Sequence, residues 1–341
     1  VSSIQTLLKA FRYHVSHYHA ELPYNLNWQI TPKDRVADAL TLRPIRVMDI
    51  GARGGEIPEL NSLNAWIDYT AFDADEAEAN RLANSSHGYA AYRIFPYFIG
   101  ETSSAIPFYL YQNLGESSCL LPNPGYQRGF QSTFTIKETV TVATQSLDTV
   151  IAKHELPFPD LLKIDVQGMA LPVLKGAYGA LGLIPLIEVE CEFFQMYKDQ
   201  SLAYDVGQYL SQNGYVTLYL NRVMVTREGF SGLSRGQLMF SDILFGLSIE
   251  AAGRLQPDSL DRYCLLLIHY GHRDFAAELI TTYPAILERM PGISELLSAR
   301  PKRVRWLRIL LMQIDKLVAL LLWLRGTNQL AHDSDRSWPI R

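Results

Sequence analysis

Cysteine is scarce in these 341 residues: Cys119, Cys191 and Cys264 lie far apart, with no C-x-x-C pair. That argues against a disulfide framework or a zinc ribbon and suits a reducing compartment. A dominant charge is also missing. The formal net charge of −4 removes the general electrostatic reason to expect a nucleic-acid partner. The balance is uneven, since residues 301–341 hold eight Lys/Arg against three Asp/Glu, net +5, which leaves −9 for the first 300. No apolar run reads as a membrane span: RVRWLRILLMQIDKLVALLLWLRG (303–326) is interrupted by Arg308, Asp315 and Lys316. The stretch VSSIQTLLKAFRYHVSHYHAE has no apolar core flanked by a cleavage site, so no signal peptide is expected and the location reads as cytoplasmic. Neither G-x-G-x-x-G nor G-x-x-x-x-G-K-[ST] is present, and no repeat period stands out.

What is present has the texture of one large domain with an appendage. Residues 1–44 read as a helical lead-in, 45–247 as an α/β domain, 248–326 as a helical extension and 327–341 as a loose tail. Strands are expected at 45–50, 68–75, 92–100, 105–111, 135–151, 161–166, 183–194, 215–220 and 241–246. Helices are expected at 76–83, 172–181 and 202–214, with NPGYQRG (123–129) as a mobile loop over the site. Strands alternating with helices imply an open, mostly parallel sheet. Residues 258–283 and 286–299 resemble a helix pair.

Three features fall at strand ends, where open α/β sheets bind ligands. In DIGARGG, Gly51, Gly54 and Gly55 permit a sharp turn and a close backbone approach, while Asp49 suits a cationic ligand better than a pyrophosphate. Asp73 in AFDAD can accept both hydroxyls of a ribose, with Asp75 a less well placed competitor. In KIDVQG, an extended chain would turn Lys163, Asp165 and Gln167 to one side, toward the crevice. Together these suggest S-adenosylmethionine (SAM) as the ligand.

The order VMDIGARGG, YTAFDAD, FIGETSSAIPFYLY, VATQSLDTVI, LLKIDVQGMALPVLKGA resembles the FkbM family of SAM-dependent O-methyltransferases over roughly residues 45–246. The last segment follows the family pattern K-I-D-V-E-G-x-E-x-x-V-L-x-G-A, with Gln167 and Ala170 in place of both glutamates and Arg53 replacing a more usual asparagine. The resemblance implies a Rossmann-like class I methyltransferase fold with flanking helices, extended here by C-terminal helices. It implies SAM held by Asp49, Gly51, Ala52, Arg53, Gly54 and Asp73. The acceptor would be a hydroxyl of a sugar, glycan or glycolipid intermediate, with Asp165 as general base or orienting group and Lys163, Gln167, Ser118 and Glu188 toward the substrate. The two lost glutamates leave open a catalytically weakened methyltransferase-like binding or scaffold protein. A nucleotide-dependent oxidoreductase is disfavoured by the missing glycine fingerprint.

Blander readings stand beside these. Asp73 read alone is a helix N-cap, and Asp165 read alone caps the next helix. Glu188, Glu190 and Glu192 share one strand face, which places at least some of them at a solvent-facing end; with Asp165 they could hold a divalent cation, although no metal is expected. His14, His17 and His19 read as a solvated helix face, and His87 and His154 as loop histidines. The amphipathic segment 303–326 either packs on its own domain or a second copy, or lies on an anionic membrane surface at its inner face.

Overall fold

The computed structural model describes residues 30–298 apart from 56, 86, 232, 233 and 235. The expectations for His14, His17, His19, the segment 303–326 and the tail from 327 lie outside the described residues.

A short helix, α1 (Asp34–Leu42), precedes the first strand. The sheet is built from β1 (Ile45–Ile50), β2 (Ile67–Phe72), β3 (Ala91–Phe95), β7 (Leu161–Ile164), β8 (Leu186–Glu192), β9 (Tyr215–Val225) and β10 (Gln237–Leu247). Its strand order is β3-β2-β1-β7-β8-β10-β9. The five strands from β3 to β8 run parallel, and β10 pairs antiparallel with both β8 and β9. IRVMDI and LLKI are nearly continuous buried runs because helices cover both faces of a parallel sheet. A second sheet, ordered β4-β6-β5, is formed by β4 (Phe98–Gly100), β5 (Ala105–Tyr111) and β6 (Ile136–Ser146).

Several expected elements end differently, for local reasons. The run 92–100 is split at Pro96, so β3 and β4 join different sheets. The run 135–151 stops being a strand at Ser146, whose hydroxyl accepts the Thr149 N–H and opens α4 (Leu147–Lys153). NPGYQRG is not a loose loop. Asn123 caps α3 (Pro124–Gly129), and Tyr126 anchors it in an aromatic cluster with Tyr111, Phe130, Phe134 and Tyr197. The expected helix 172–181 is two short ones, α5 (Ala170–Gly176) and α6 (Tyr178–Leu181).

Between β2 and β3 lies α2 (Glu76–Ala83), and α7 (Ala203–Gln212) precedes β9. Downstream comes α8 (Ile249–Ala252), and then α9 (Pro257–His269), α10 (Arg273–Thr282), α11 (Ala285–Arg289) and α12 (Ile293–Ser298) replace the expected helix pair. Gly271 and Gly292, at φ 90° and 96°, break the two longer segments. These helices share the sheet's core: Leu260, Tyr263, Leu267, Leu279 and Ile286 belong to the same buried cluster as Val47, Leu162 and Val189. The buried Arg262 Nε meets Asp160 Oδ2 at 2.6 Å, tying α9 to the chain entering β7. No helix among the described residues is long and apolar enough to cross a membrane.

Candidate active site

Strand order reverses between β1 and β7, so the connections from their carboxyl ends leave in opposite directions and open a crevice. A cavity of about 530 Å³ lies there, within the range of small-molecule sites. One wall carries Gly51, Arg53, Asp73, Asp75, Asp165 and Gln167; the opposite wall carries Phe98, Phe108, Leu110, Val140 and Val142 from the small sheet.

The turn after β1 is shaped for close approach. Gly51 has φ 87°, and a Cβ there would lie 1.9 Å from the Asp165 backbone oxygen. Gly51 and Ala52 donate their N–H groups to Phe72 O, and Asp165 donates its own to Ile50 O, which locks three strand ends together. Ala52 is buried, and Gly54 (φ 96°) donates its N–H to Glu78 Oε1 at 3.2 Å, so neither lines the cavity. Arg53 reaches Asp75 at 3.1 Å, and Asp75, not Asp73, caps α2 by accepting the Ala77 and Glu78 N–H groups. Asp73 is thereby spared for the cavity. It is 7 % exposed, accepts the Asp75 N–H on Oδ1, and burial raises its carboxyl pKa.

The KIDVQG segment does not stay extended. β7 ends at Ile164, and Gln167 and Gly168 both take positive φ, 48° and 86°. Lys163, inside β7, does not line the cavity. Its Nζ sits 3.8 Å from Asp49 and 3.5 Å from Asp165. Burial works to lower the Lys163 pKa, but Asp49, Asp165, Glu188 and Asp242 outweigh it and hold the ammonium charged. Asp49, 3 % exposed, also accepts the Tyr69 hydroxyl; burial raises its carboxyl pKa against the pull of Lys163. It braces the cavity from behind and does not form its wall. Asp165 and Gln167 remain at the wall, joined by Val166.

Comparison with protein families matches residues 49–217 to the Methyltransferase FkbM domain. The chain carries an FkbM methyltransferase domain. Its fold is the α/β class I methyltransferase fold, and its cofactor is SAM. Similar solved structures include a precorrin-6y C5,15-methyltransferase from Geobacter metallireducens GS-15, at 10 % identity and TM-score 0.32, covering 64 % of this chain and 93 % of that one. Another is a magnesium protoporphyrin IX methyltransferase from Synechocystis PCC 6803 with bound SAM, at 12 % identity and TM-score 0.31, covering 63 % and 74 %. No curated protein matches the sequence.

The FkbM domain's cavity fits SAM on its own geometry. The Cβ missing from Gly51 lets the turn close against the Asp165 carbonyl at the cavity wall, and Asp73 presents a carboxylate suited to a ribose diol. On the acceptor side, Ser118 is 1 % exposed and spends its hydroxyl on Gln167 O at 2.7 Å; its neighbour Ser117 lines the cavity instead. Glu188 lies away from the cavity, accepting the Tyr270 hydroxyl at 3.2 Å. Glu188 and Glu190 are half-buried and Glu192 is buried, and no cluster among the described residues could hold a metal ion. Burial pushes Glu188 up to about 8, Glu192 to about 7 and Asp242 to about 6, and raises Glu190 well above the carboxylate range. His154 meets Tyr97 Oη at 3.1 Å, and His87 stacks on Tyr92 at 3.6 Å.

Sequence reading missed the apolar wall. Alternation in AIPFYLY and TVTVA places Phe108, Leu110, Val140 and Val142 on one face, but only the pairing Phe108↔Val140 and Ile106↔Val142 shows that both strands turn that face to the cavity. It missed Tyr197 as well, which holds Gln167 from a distant loop.

Proposed function

We propose that this FkbM domain methylates a hydroxyl oxygen of an acceptor joining a sugar to an apolar body, a glycolipid-type intermediate. Asp165 carries the reading: its side chain is 38 % exposed, lines the cavity and stands at the divergence of β1 and β7. An alcohol is a weak nucleophile, and a carboxylate within hydrogen-bond reach can orient it and take its proton, a contribution of about 10²–10⁴ in rate. When bound, SAM supplies a methyl group activated by its sulfonium. Lys163 meets the Asp165 carboxylate at Oδ2 and Gln167 at Oδ1, and the cavity beside it is where the acceptor would enter.

The apolar wall supports the second half of the reading. Phe98, Phe108, Leu110, Val140 and Val142 belong to neither of the two apolar clusters described, yet they face the same cavity as Asp165. A bare sugar would leave them unmatched, whereas an apolar body would cover them. The alternative of a weakened scaffold rests on Gln167 and Ala170. Ala170 is 6 % exposed in the main core and outside the cavity lining, and Asp165 is retained.

The test is transfer of labelled methyl from SAM to octyl β-glucoside, glucose and octanol in parallel. Ether-linked label on octyl β-glucoside, well above glucose, is the expected result. Label on none of the three hydroxyl compounds, with label recovered on an amine or carbon acceptor, would count against the reading.

A further inference from the structure

Gln167 occupies the junction of four partners. Its amide Nε2 donates to Asp165 Oδ1 at 3.2 Å and to Glu190 Oε1 at 3.1 Å. Its Oε1 accepts the Tyr197 hydroxyl at 3.1 Å, and its backbone carbonyl accepts the Ser118 hydroxyl at 2.7 Å. Its φ of 48° is a left-handed conformation rarely adopted by a residue with a side chain, and Ser118 and Tyr197 hold it there. An amide nitrogen has two hydrogens, and here each is directed at a different carboxyl group. The group standing between Asp165 and Glu190 is thus a neutral double donor.

We propose that Gln167 is the positioning residue of the methyl-transfer site, a neutral bridge that fixes Asp165 against Glu190 in the place where a glutamate would open a divalent-cation site. The inference rests on the reading of Asp165 as the acceptor-side group. A carboxylate at 167 would keep the acceptor for Tyr197 but lose both donors, and it would set three carboxyl groups against one another. Three oxygen ligands of this kind suit a hard cation, and the amide nitrogen now fills the position between two of them.

The experiment compares wild type, Gln167→Gly and Gln167→Glu. Glycine keeps the left-handed turn without strain and removes only the bridge, and thermal melting checks each fold. Manganese binding is followed by electron paramagnetic resonance, S-adenosylhomocysteine binding by calorimetry, and methyl transfer with octyl β-glucoside. Gln167→Glu should gain one manganese site absent from wild type, and that site should vanish in Gln167→Glu combined with Glu190→Gln. Gln167→Gly should lower kcat about tenfold or more while S-adenosylhomocysteine affinity stays within about twofold. Folded Gln167→Glu without the extra manganese site, or folded Gln167→Gly with wild-type kcat, overturns the proposal. If Gln167→Gly slows transfer but Asp165→Asn does not, the reading of Asp165 fails instead. If octyl β-glucoside is not methylated, the acceptor assignment fails and the manganese arm alone decides the role of Gln167.

Discussion

A Cβ on Gly51 would stand 1.9 Å from the backbone oxygen of Asp165, so the first turn of the domain and the end of β7 meet with no room for a side chain. Gly51→Ala must displace one strand end and adopt φ 87° as well. It should cost about 2–5 kcal/mol of stability and abolish measurable S-adenosylhomocysteine binding. Gly54→Ala is the control. It has nothing within 4 Å of its Cβ, so only the backbone penalty remains, about 1 kcal/mol. Denaturant melts and calorimetry on the pair check this, and equal losses would contradict it.

Asp73 and Asp165 line the same cavity just past the ends of different strands, which separates their expected effects. Asp73→Ala should weaken S-adenosylhomocysteine binding by about 10–100-fold, the loss of a charge-assisted contact of roughly 1.5–3 kcal/mol. Asp165→Asn should leave that affinity within about twofold and slow transfer by about 10² or more. Calorimetry beside a rate assay separates them. Equal loss of cofactor affinity in both variants would refute the division.

Buried acids make stability depend on pH in a definite direction. Glu188 and Glu192 titrate near 8 and 7 in the folded chain, and Asp242 near 6, chiefly because burial penalises their charged forms. The unfolded chain releases these protons near the ordinary carboxylate range, so the folded state holds more protons from about pH 4 to 8. Stability from these groups is complete below that window and falls as pH rises through it. The melting temperature should decline between pH 5 and 8, and Glu188→Gln should flatten the decline. A slope of opposite sign in Glu188→Gln would contradict the assignment.

The C-terminal helices are part of the fold's core, and one ion pair tests it. Asp160 accepts Arg262 Nε at 2.6 Å, the Ser259 hydroxyl at 2.9 Å and the Arg46 N–H at 2.8 Å, with both charged side chains enclosed. Arg262→Ala leaves a buried carboxylate short of its cation and should cost about 3–5 kcal/mol. A single cooperative denaturant transition shifted by that amount is expected. Separate melting of a helical unit would show that residues 249–298 fold independently.

The parts of the fold that local chemistry specifies were legible in the sequence. IRVMDI and EAEANRLA form the expected elements over 45–50 and 76–83, because an unbroken apolar run and an acid-rich first turn need no distant partner to be read. Where a distant partner decides, the reading diverged. The sense in which Lys163 faces depends on Asp49 in the adjacent strand, and the position of Ser118 depends on the carbonyl of Gln167. Gly271 breaks a helical run that apolar spacing alone carries through.

By itself the sequence determined the alternating strands and helices of the α/β domain in outline, the glycine turn, and the acids Asp73 and Asp165 at strand ends, since each follows from spacing and side-chain type along a few residues. Only the tertiary structure decided which of these residues meet a ligand. Asp49 and Lys163 went behind the wall, Glu188 turned to Tyr270 away from the cavity, and the β5–β6 face turned to the cavity. The physical reason is that burial and electrostatic pairing are sums over neighbours from distant parts of the chain, and Gln167, clamped by Ser118, Tyr197, Asp165 and Glu190, depends on all four.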